Sequence, residues 1–374
     1  MLMSTQRRWL TALSGAGLTA TSMDALAEWG LNLPAPASPI AAEILNLHNL
    51  IMLICLIIFI VVFSFMFYSV YAHRKSKGYK AAQFHESTTV EIVWTIIPFL
   101  ILVGMAIPST ATLIRMEDTT EADLTVKITG YQWKWGYEYM GHDVSFYSSL
   151  ATPADQVLNR APKGEHYLLE VNQALVLPTN KKVRFLVTAS DVIHAWWVPK
   201  LGVKKDAIPG YINEMWTYIN EPGVYRGQCA ELCGKDHGFM PIVVEAKSPE
   251  DFEAWLEEQK QAQAADAGPT LDALGRQELL ARGADVYQNC VACHGVEGKG
   301  VSGIFPAIHG SKVVNGPLEQ HLEVVMNGRP GTAMQPFKNQ LSDTDIAAVI
   351  TYQRNSFGND TGDVVQPSQV HALR

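Results

Sequence analysis

Charge is scarce in this sequence. Of its 374 residues only 18 % are Asp, Glu, Lys or Arg, low for a chain that is soluble throughout, and the apolar residues gather near the N-terminus. The surplus of Lys and Arg that draws a protein to nucleic acid or anionic lipid is missing: the net charge is −8, so neither partner is favoured and a basic soluble protein is the more natural one. Cysteine is sparse too. Four of the five fall in two tight pairs, and Cys55 stands alone in an apolar run, where the expectation is a buried, inert thiol. A disulfide framework spreads several pairs along a chain, whereas two short-spaced pairs with His and Met nearby suggest metal or haem attachment. No internal repeat appears, and the length suits two or three domains.

What is present divides the chain. Residues 1–27 read as a secretory signal: Arg7 and Arg8 form a basic start, a short apolar stretch follows, and Ala25-Leu26-Ala27 is a small-x-small cleavage site. Residues 28–120 hold an N-terminal segment and two apolar runs, 51–70 and 92–114, within spans expected at about 48–72 and 91–114. Each reaches the ~20 residues that a hydrocarbon core of roughly 30 Å requires. Pro98 and Pro108 interrupt the second run, which membrane helices tolerate. Between the runs lie Arg74, Lys75, Lys77 and Lys80. That basic loop belongs in the cytoplasm, with both ends of the mature chain outside.

From 121 to 247 the pattern becomes short β-prone runs broken by Gly, Pro and Asn, such as KVRFLVTAS and FMPIVVEA, predicting an all-β antiparallel sandwich or barrel. Residues 248–272 read as a helix with an acidic first turn and then, from Gln259 to Thr270, a linker. Residues 273–359 form an all-α domain. Leu279, Gly283, Val286, Tyr287 and Cys290 share one helical face, as do Leu318, Leu322, Val325 and Met326. Ser342 and Asp345 resemble a capping box. Residues 360–374 read as a loose tail.

The segment CAELCGKDHGFM, 229–240, places Cys229, Cys233, His237 and Met240 within twelve residues, with Glu231 between the cysteines. Thiolates and a thioether are soft ligands that suit copper, and imidazole suits it also. Two cysteines four apart can share two metal ions, and a second imidazole is then needed; His194 in DVIHAWWVP is the best candidate. Zinc accepts Cys and His but rarely recruits Met. A single blue-copper centre needs one Cys, not two, and a Cys229–Cys233 disulfide is the remaining alternative.

Together with DVIHAWWVPKLGVKKDAIPG, YQWKWGYEY and the two apolar runs, this segment resembles cytochrome c oxidase subunit II over about residues 47–256. The resemblance implies a transmembrane helical hairpin followed by a cupredoxin sandwich that carries the binuclear copper centre CuA. Cys229 and Cys233 then bridge both coppers, and His194 and His237 bind one each. Met240 is a weak ligand to one copper, and the Glu231 backbone carbonyl serves the other. The Glu231 side chain helps to hold a Mg²⁺ ion at the interface with subunit I. Trp133, in the run Tyr131-Gln132-Trp133-Lys134-Trp135, matches the family's electron port; an aromatic strand taken by itself reads as core.

Cys290-Val291-Ala292-Cys293-His294 is CxxCH, the attachment signature of c-type haem, in which two thiols bind the porphyrin and His294 supplies an axial nitrogen. A redox-active dithiol is the rival, disfavoured in an exported helical domain. The loop GTAMQPF resembles the methionine loop of class I cytochromes c, making Met334 the expected sixth ligand, with Met326 read as core and His309 as a lesser alternative.

The function expected is subunit 2 of a caa3-type cytochrome c oxidase in a bacterial inner membrane. It would take electrons from a soluble cytochrome c through haem c and pass them by CuA to subunit I, which reduces oxygen and pumps protons. Subunit I and the other oxidase subunits are the expected partners. Glu91, three residues before Trp94, matches a family glutamate at the mouth of a proton channel; read alone it is a helix N-terminal acid favoured by about 0.3–1 kcal/mol. A nitrous oxide reductase fits neither the spans nor the length, a quinol oxidase subunit lacks the copper ligands found here, and a membrane-anchored carrier is the third alternative.

Overall fold

The structure is a computed structural model that describes residues 32–80, 83, 85–267, 274–338 and 340–374. The expected signal segment, 1–27, lies outside the described residues. Among the described residues, 32–35 belong to a different unit from 36–374.

Two long helices come first, α1 (Pro39–Ala72) and α2 (Thr88–Glu117). At 1.5 Å per residue the 34 residues of α1 run for about 51 Å, so it extends well beyond the apolar run that predicts it. Its N-cap, Ser38, accepts from the Ala41 amide and donates to the Leu201 carbonyl at 2.8 Å, and Ala37 N–H bonds Lys200 O at 2.8 Å. These bonds tie the start of the helix to the β domain. Gly202 makes that junction possible: its φ is +67°, and a Cβ there would lie 2.8 Å from Ala41 Cα. Both prolines sit inside α2 without ending it. Cys55 is exposed on α1, correcting the expectation of burial: the apolar side chains along the middle of α1 face outward.

The β domain is a sandwich of two five-stranded sheets. Its elements in chain order are β1 (Leu124–Tyr131), β2 (Lys134–Tyr139), β3 (Val144–Ser148), the short helix α3 (Ala154–Val157), β4 (Leu175–Pro178), β5 (Lys182–Ala189), β6 (His194–Val198), β7 (Val203–Ala207), β8 (Asn213–Tyr218), β9 (Gly223–Cys229) and β10 (Pro241–Lys247). One sheet runs β3-β2-β1-β5-β8 and the other β4-β10-β9-β6-β7. The pairing is antiparallel except for β1 with β5 and β4 with β10. In β5 buried and half-buried residues alternate strictly, so Val183, Phe185, Val187 and Ala189 enter the core.

Helix α4 (Pro249–Ala267) closes one side, burying Phe252 and Leu256 in the sandwich core. It continues through most of the stretch read as a linker, because Ala and Gln are good helix formers and the Gln263 side chain bonds both the N–H and C=O of Ser145. The helical domain follows: α5 (Arg276–Val286), α6 (Gln288–His294), α7 (Leu318–Asn327), α8 (Asp343–Arg354) and α9 (Pro367–His371). Gly283 lets α5 and α8 meet, since a Cβ there would stand 2.2 Å from Ala348 O. Ser342 and Asp345 do form the capping box. The tail is not loose. Val365 and Val370 are buried, and Arg374 bonds Asp343 and the carbonyls of Lys338 and Leu341.

Candidate copper and haem sites

At one end of the sandwich, β6 begins with His194 and β9 ends with Cys229, and the turn after β9 carries Cys233 and His237. Ladder pairing of Trp196 with Cys229 brings the two strands together. Cys229 Sγ lies 3.8 Å from Cys233 Sγ and 4.0 Å from His194 Nδ1, and Cys233 Sγ lies 3.5 Å from His237 Nδ1. Both imidazoles thus present Nδ1 to the sulfur pair. The ligand atoms of His194, Cys229 and Cys233 all fall within 4.8 Å of one another, and the sulfurs are free thiols, not a disulfide. Glu231 contributes its backbone oxygen, 3.4 Å from Cys229 Sγ, while its side chain is exposed. Met240 is buried and bonds the Cys229 amide through its carbonyl at 3.0 Å.

The surroundings prepare these groups for a metal. Asp191 Oδ1 accepts from His194 Nε2 at 2.9 Å, which leaves the Nδ1 lone pair for coordination. Burial pulls the His194 pKa down, but Asp191 and Cys229 outweigh it and the net shift is upward. The Cys233 thiol donates to Cys229, holding Cys229 low and Cys233 high, so the pair gives up its first proton readily. Asp191 Oδ2 also accepts from the Gln132 amide at 2.7 Å. Gly130 makes room for the imidazole: a Cβ there would stand 2.7 Å from His194 Cδ2. Two soft thiolates, two imidazoles and a buried thioether form a donor set that fits copper.

The second site is a cavity of about 390 Å³ in the helical domain. Cys290, Cys293, His294 and Met334 line it, with Ile308, Val314, Val325, Leu341 and Val349 as apolar wall. His294 Nδ1 donates to Pro306 O at 2.8 Å; a carbonyl only accepts, so the tautomer is fixed and Nε2 carries the free lone pair. Burial lowers the His294 pKa, keeping the ring neutral. Gly328, at φ +66°, packs so close to the Met334 carbonyl that a Cβ would stand 2.4 Å away, shaping the methionine loop. Met326 is buried in the domain core, and His309 bonds Phe357 O; neither lines the cavity. An apolar pocket with two thiols, a neutral imidazole and a thioether fits a covalently attached haem.

The two sites share a wall. Gln132, from the β domain, lines the cavity of the helical domain, and its Nε2 donates to Cys233 O at 2.9 Å. Trp133 is only 7 % exposed, with Nε1 donating to the same carbonyl at 3.2 Å. Its other side meets Phe305 edge-on, with ring centres 6.4 Å apart, and Phe305 belongs to the cavity wall. The chain's own helical domain thus covers the residue that the resemblance makes the electron port.

Sequence reading missed Gly130, Asp191, Phe305 and His321. Asp191 stands three residues before His194, a spacing that could have signalled it. His321, on the face of α7 read as apolar, lines the cavity and bonds Gln353 Oε1 at 2.8 Å through Nε2; burial pushes its pKa down to about 4. Glu91 is exposed in the first turn of α2.

Comparison with known proteins turns on these same segments. Residues 26–112 match the family described as cytochrome C oxidase subunit II, transmembrane domain, and 124–247 match its periplasmic domain. A "Probable cytochrome c oxidase subunit 2" of Rickettsia felis is 43 % identical over 228 residues, spanning 61 % of this chain and 71 % of the relative. The chain belongs to the cytochrome c oxidase subunit II family. Cytochrome c oxidase subunit 2 of Cereibacter sphaeroides is 38 % identical over 271 residues, 66 % of this chain and 89 % of that one. A solved structure of the periplasmic domain of subunit II from Bradyrhizobium japonicum is 42 % identical, covering 38 % of this chain and 98 % of its own, with a TM-score of 0.35. Residues 278–352 match a further family, cytochrome C oxidase, cbb3-type, subunit III. This subunit II is therefore a membrane protein with a periplasmic sandwich and an appended cytochrome c domain, and part of a haem–copper oxidase.

Proposed function

We propose that this chain is the second subunit of a caa3-type oxidase and carries its own electron relay. It receives electrons from a soluble cytochrome c on the helical domain, hands them to the sandwich, and delivers them to subunit I, where oxygen is reduced and protons are pumped. The observation that carries this reading is the position of Trp133, which bonds the Cys233 carbonyl on one side and packs on Phe305 of the haem cavity on the other. Copper and haem c, when bound, would supply one-electron chemistry on either side of Trp133.

Each residue has a defined part. Cys229 and Cys233, with His194 and His237, would hold the two coppers, and Met240 and the Glu231 carbonyl would complete the donor set. Cys290 and Cys293 would attach the haem, and His294 and Met334 would supply the ligands to its iron. Trp133 and Gln132 hold the Cys233 carbonyl in register with the cavity wall. The Glu231 side chain, exposed beside the copper cluster with Leu232, serves a Mg²⁺ ion shared with subunit I. Glu91 collects protons on the cytoplasmic side, at the end of α2 nearest the basic loop. The two spans lie in a bacterial inner membrane with both chain ends on the periplasmic side.

Metal and haem analysis of the assembled complex tests this, combined with flash reduction of the cytochrome domain. Two coppers and one acid-resistant haem in this chain, with electrons appearing at copper before subunit I, are expected. A single copper, a haem extracted by acid acetone, or soluble cytochrome c reducing copper before haem would each defeat the reading.

A further inference from the structure

Lys134 opens β2 and is 4 % exposed, although lysine is almost never fully buried without a charged partner. Its ammonium donates to Gln340 Oε1 of the cytochrome domain at 2.8 Å. Nζ stands 4.5 Å from the ring centre of Tyr147, 4.8 Å from Phe337 and 5.9 Å from Tyr131. Aromatic faces attract a cation, but no carboxylate forms an ion pair with it among the described residues. Phe337, whose ring the ammonium faces, also lines the cavity that Cys290 and Cys293 bound. The sandwich thus inserts one positive charge, buried from solvent, one aromatic ring away from the cavity.

An electron arriving in that cavity adds a negative charge near this cation. Buried charges interact through a lower effective dielectric than water and are screened little by salt. We propose that Lys134, a residue of the copper domain, raises the midpoint potential of the haem held by the cytochrome domain, and that reduction in turn tightens the contact between the two domains. The second half follows from the first by reciprocity: whatever factor docking applies to the ratio of reduced to oxidised haem, reduction applies to docking. The inference rests on the reading that the cavity holds haem c. Lys134 is a positioning and tuning residue, since it touches neither iron ligand.

Spectroelectrochemical titration of the haem in the full-length chain within the assembled oxidase tests it, comparing wild type with Lys134→Met and Lys134→Arg. The Met variant should show a several-fold lower ratio of reduced to oxidised haem at a fixed solution potential, with haem content and axial-ligand absorption unchanged. The Arg variant should stay near wild type. An unshifted potential in Lys134→Met overturns the proposal, as does an equal shift in Lys134→Arg, which would make packing and not charge the cause. If Lys134→Met does not assemble, the wild type answers alone. Burial brings Lys134 down to about 8, so its charge fades between pH 7 and 9 and the haem potential should fall over that range. The other groups facing it are Tyr131, Tyr147, Cys290, Cys293 and Asp191. Burial raises Tyr147 and both thiols, and haem attachment removes the thiol protons altogether. A flat profile overturns the proposal. Absence of covalent haem from the wild type would instead refute the reading of the cavity.

Discussion

Gly130 and His194 are in contact across the sandwich: the imidazole occupies the space a side chain on residue 130 would need, with Cδ2 2.7 Å from where a Cβ would sit. Backbone and ring cannot both stay in place if that atom is added. Gly130→Ala should therefore cost about 1–3 kcal/mol as overpacking and push His194 away from Cys229. Copper content should fall below two per chain while the sandwich stays folded by circular dichroism. Full copper loading with an unchanged mixed-valence signal would show that the ring has room to move.

Met334 and Met326 lie eight residues apart and should respond in opposite ways. Met334→Ala should leave haem attached through Cys290 and Cys293 but remove the low-spin reduced spectrum, or let another ligand take over at lower potential. Met326→Ala should spare the spectrum and destabilise the domain by about 2–5 kcal/mol, the usual loss for a buried Met. Reversal of the two outcomes in absorption and thermal unfolding would move the sixth ligand to Met326.

Deleting 367–374 should destabilise the cytochrome domain by about 4–6 kcal/mol, from the loss of buried Val370 and of the three Arg374 hydrogen bonds. Burial of a Val contributes about 1.5–3 kcal/mol, and the Arg374 hydrogen bonds contribute about 1 kcal/mol each. Calorimetry of the full chain reads this; an unmoved cytochrome transition would mean that the tail contact is idle.

Glu91→Ala should slow steady-state oxygen reduction in the complex without altering electron arrival at copper, because Glu91 is far along the chain from either cofactor site. Flow-flash and turnover measurements separate the two steps. Wild-type turnover across the pH range would return Glu91 to a simple helix-end acid.

Much of the site is legible in the sequence because its chemistry is local. CAELCGKDHGFM puts four candidate ligand types within twelve residues, and CxxCH puts two candidate thiols and an imidazole within five. The sandwich shows in the period-two alternation of segments such as KVRFLVTA, and the membrane helices in unbroken apolar length. What escapes is whatever depends on one domain meeting another. Nothing in YQWKW says that Trp133 and Lys134 will be covered by Phe305, Phe337 and Gln340 from some 170 to 200 positions later. The tail escapes for a different reason: α9 has five residues, too few to display a helical period, and Val365 and Val370 look solitary until α8 is beneath them. The linker misreading came from weighing Ala and Gln as low complexity when they also favour helix.

The bonds at the top of the membrane helices bear on kinetics. Ala37 and Ser38 grip Lys200 and Leu201 at the start of α1, Trp216 Nε1 bonds Arg115 O near the end of α2, and Arg115 pairs with Glu43 between the helices. A domain on one tether swings, whereas a domain pinned at two helix ends keeps its height above the bilayer. Cys229 and Cys233 therefore stand at a set elevation over whatever acceptor lies in the membrane. On the proposed electron route, inward transfer is then a tunnelling problem over a built distance, with no diffusional search to slow it.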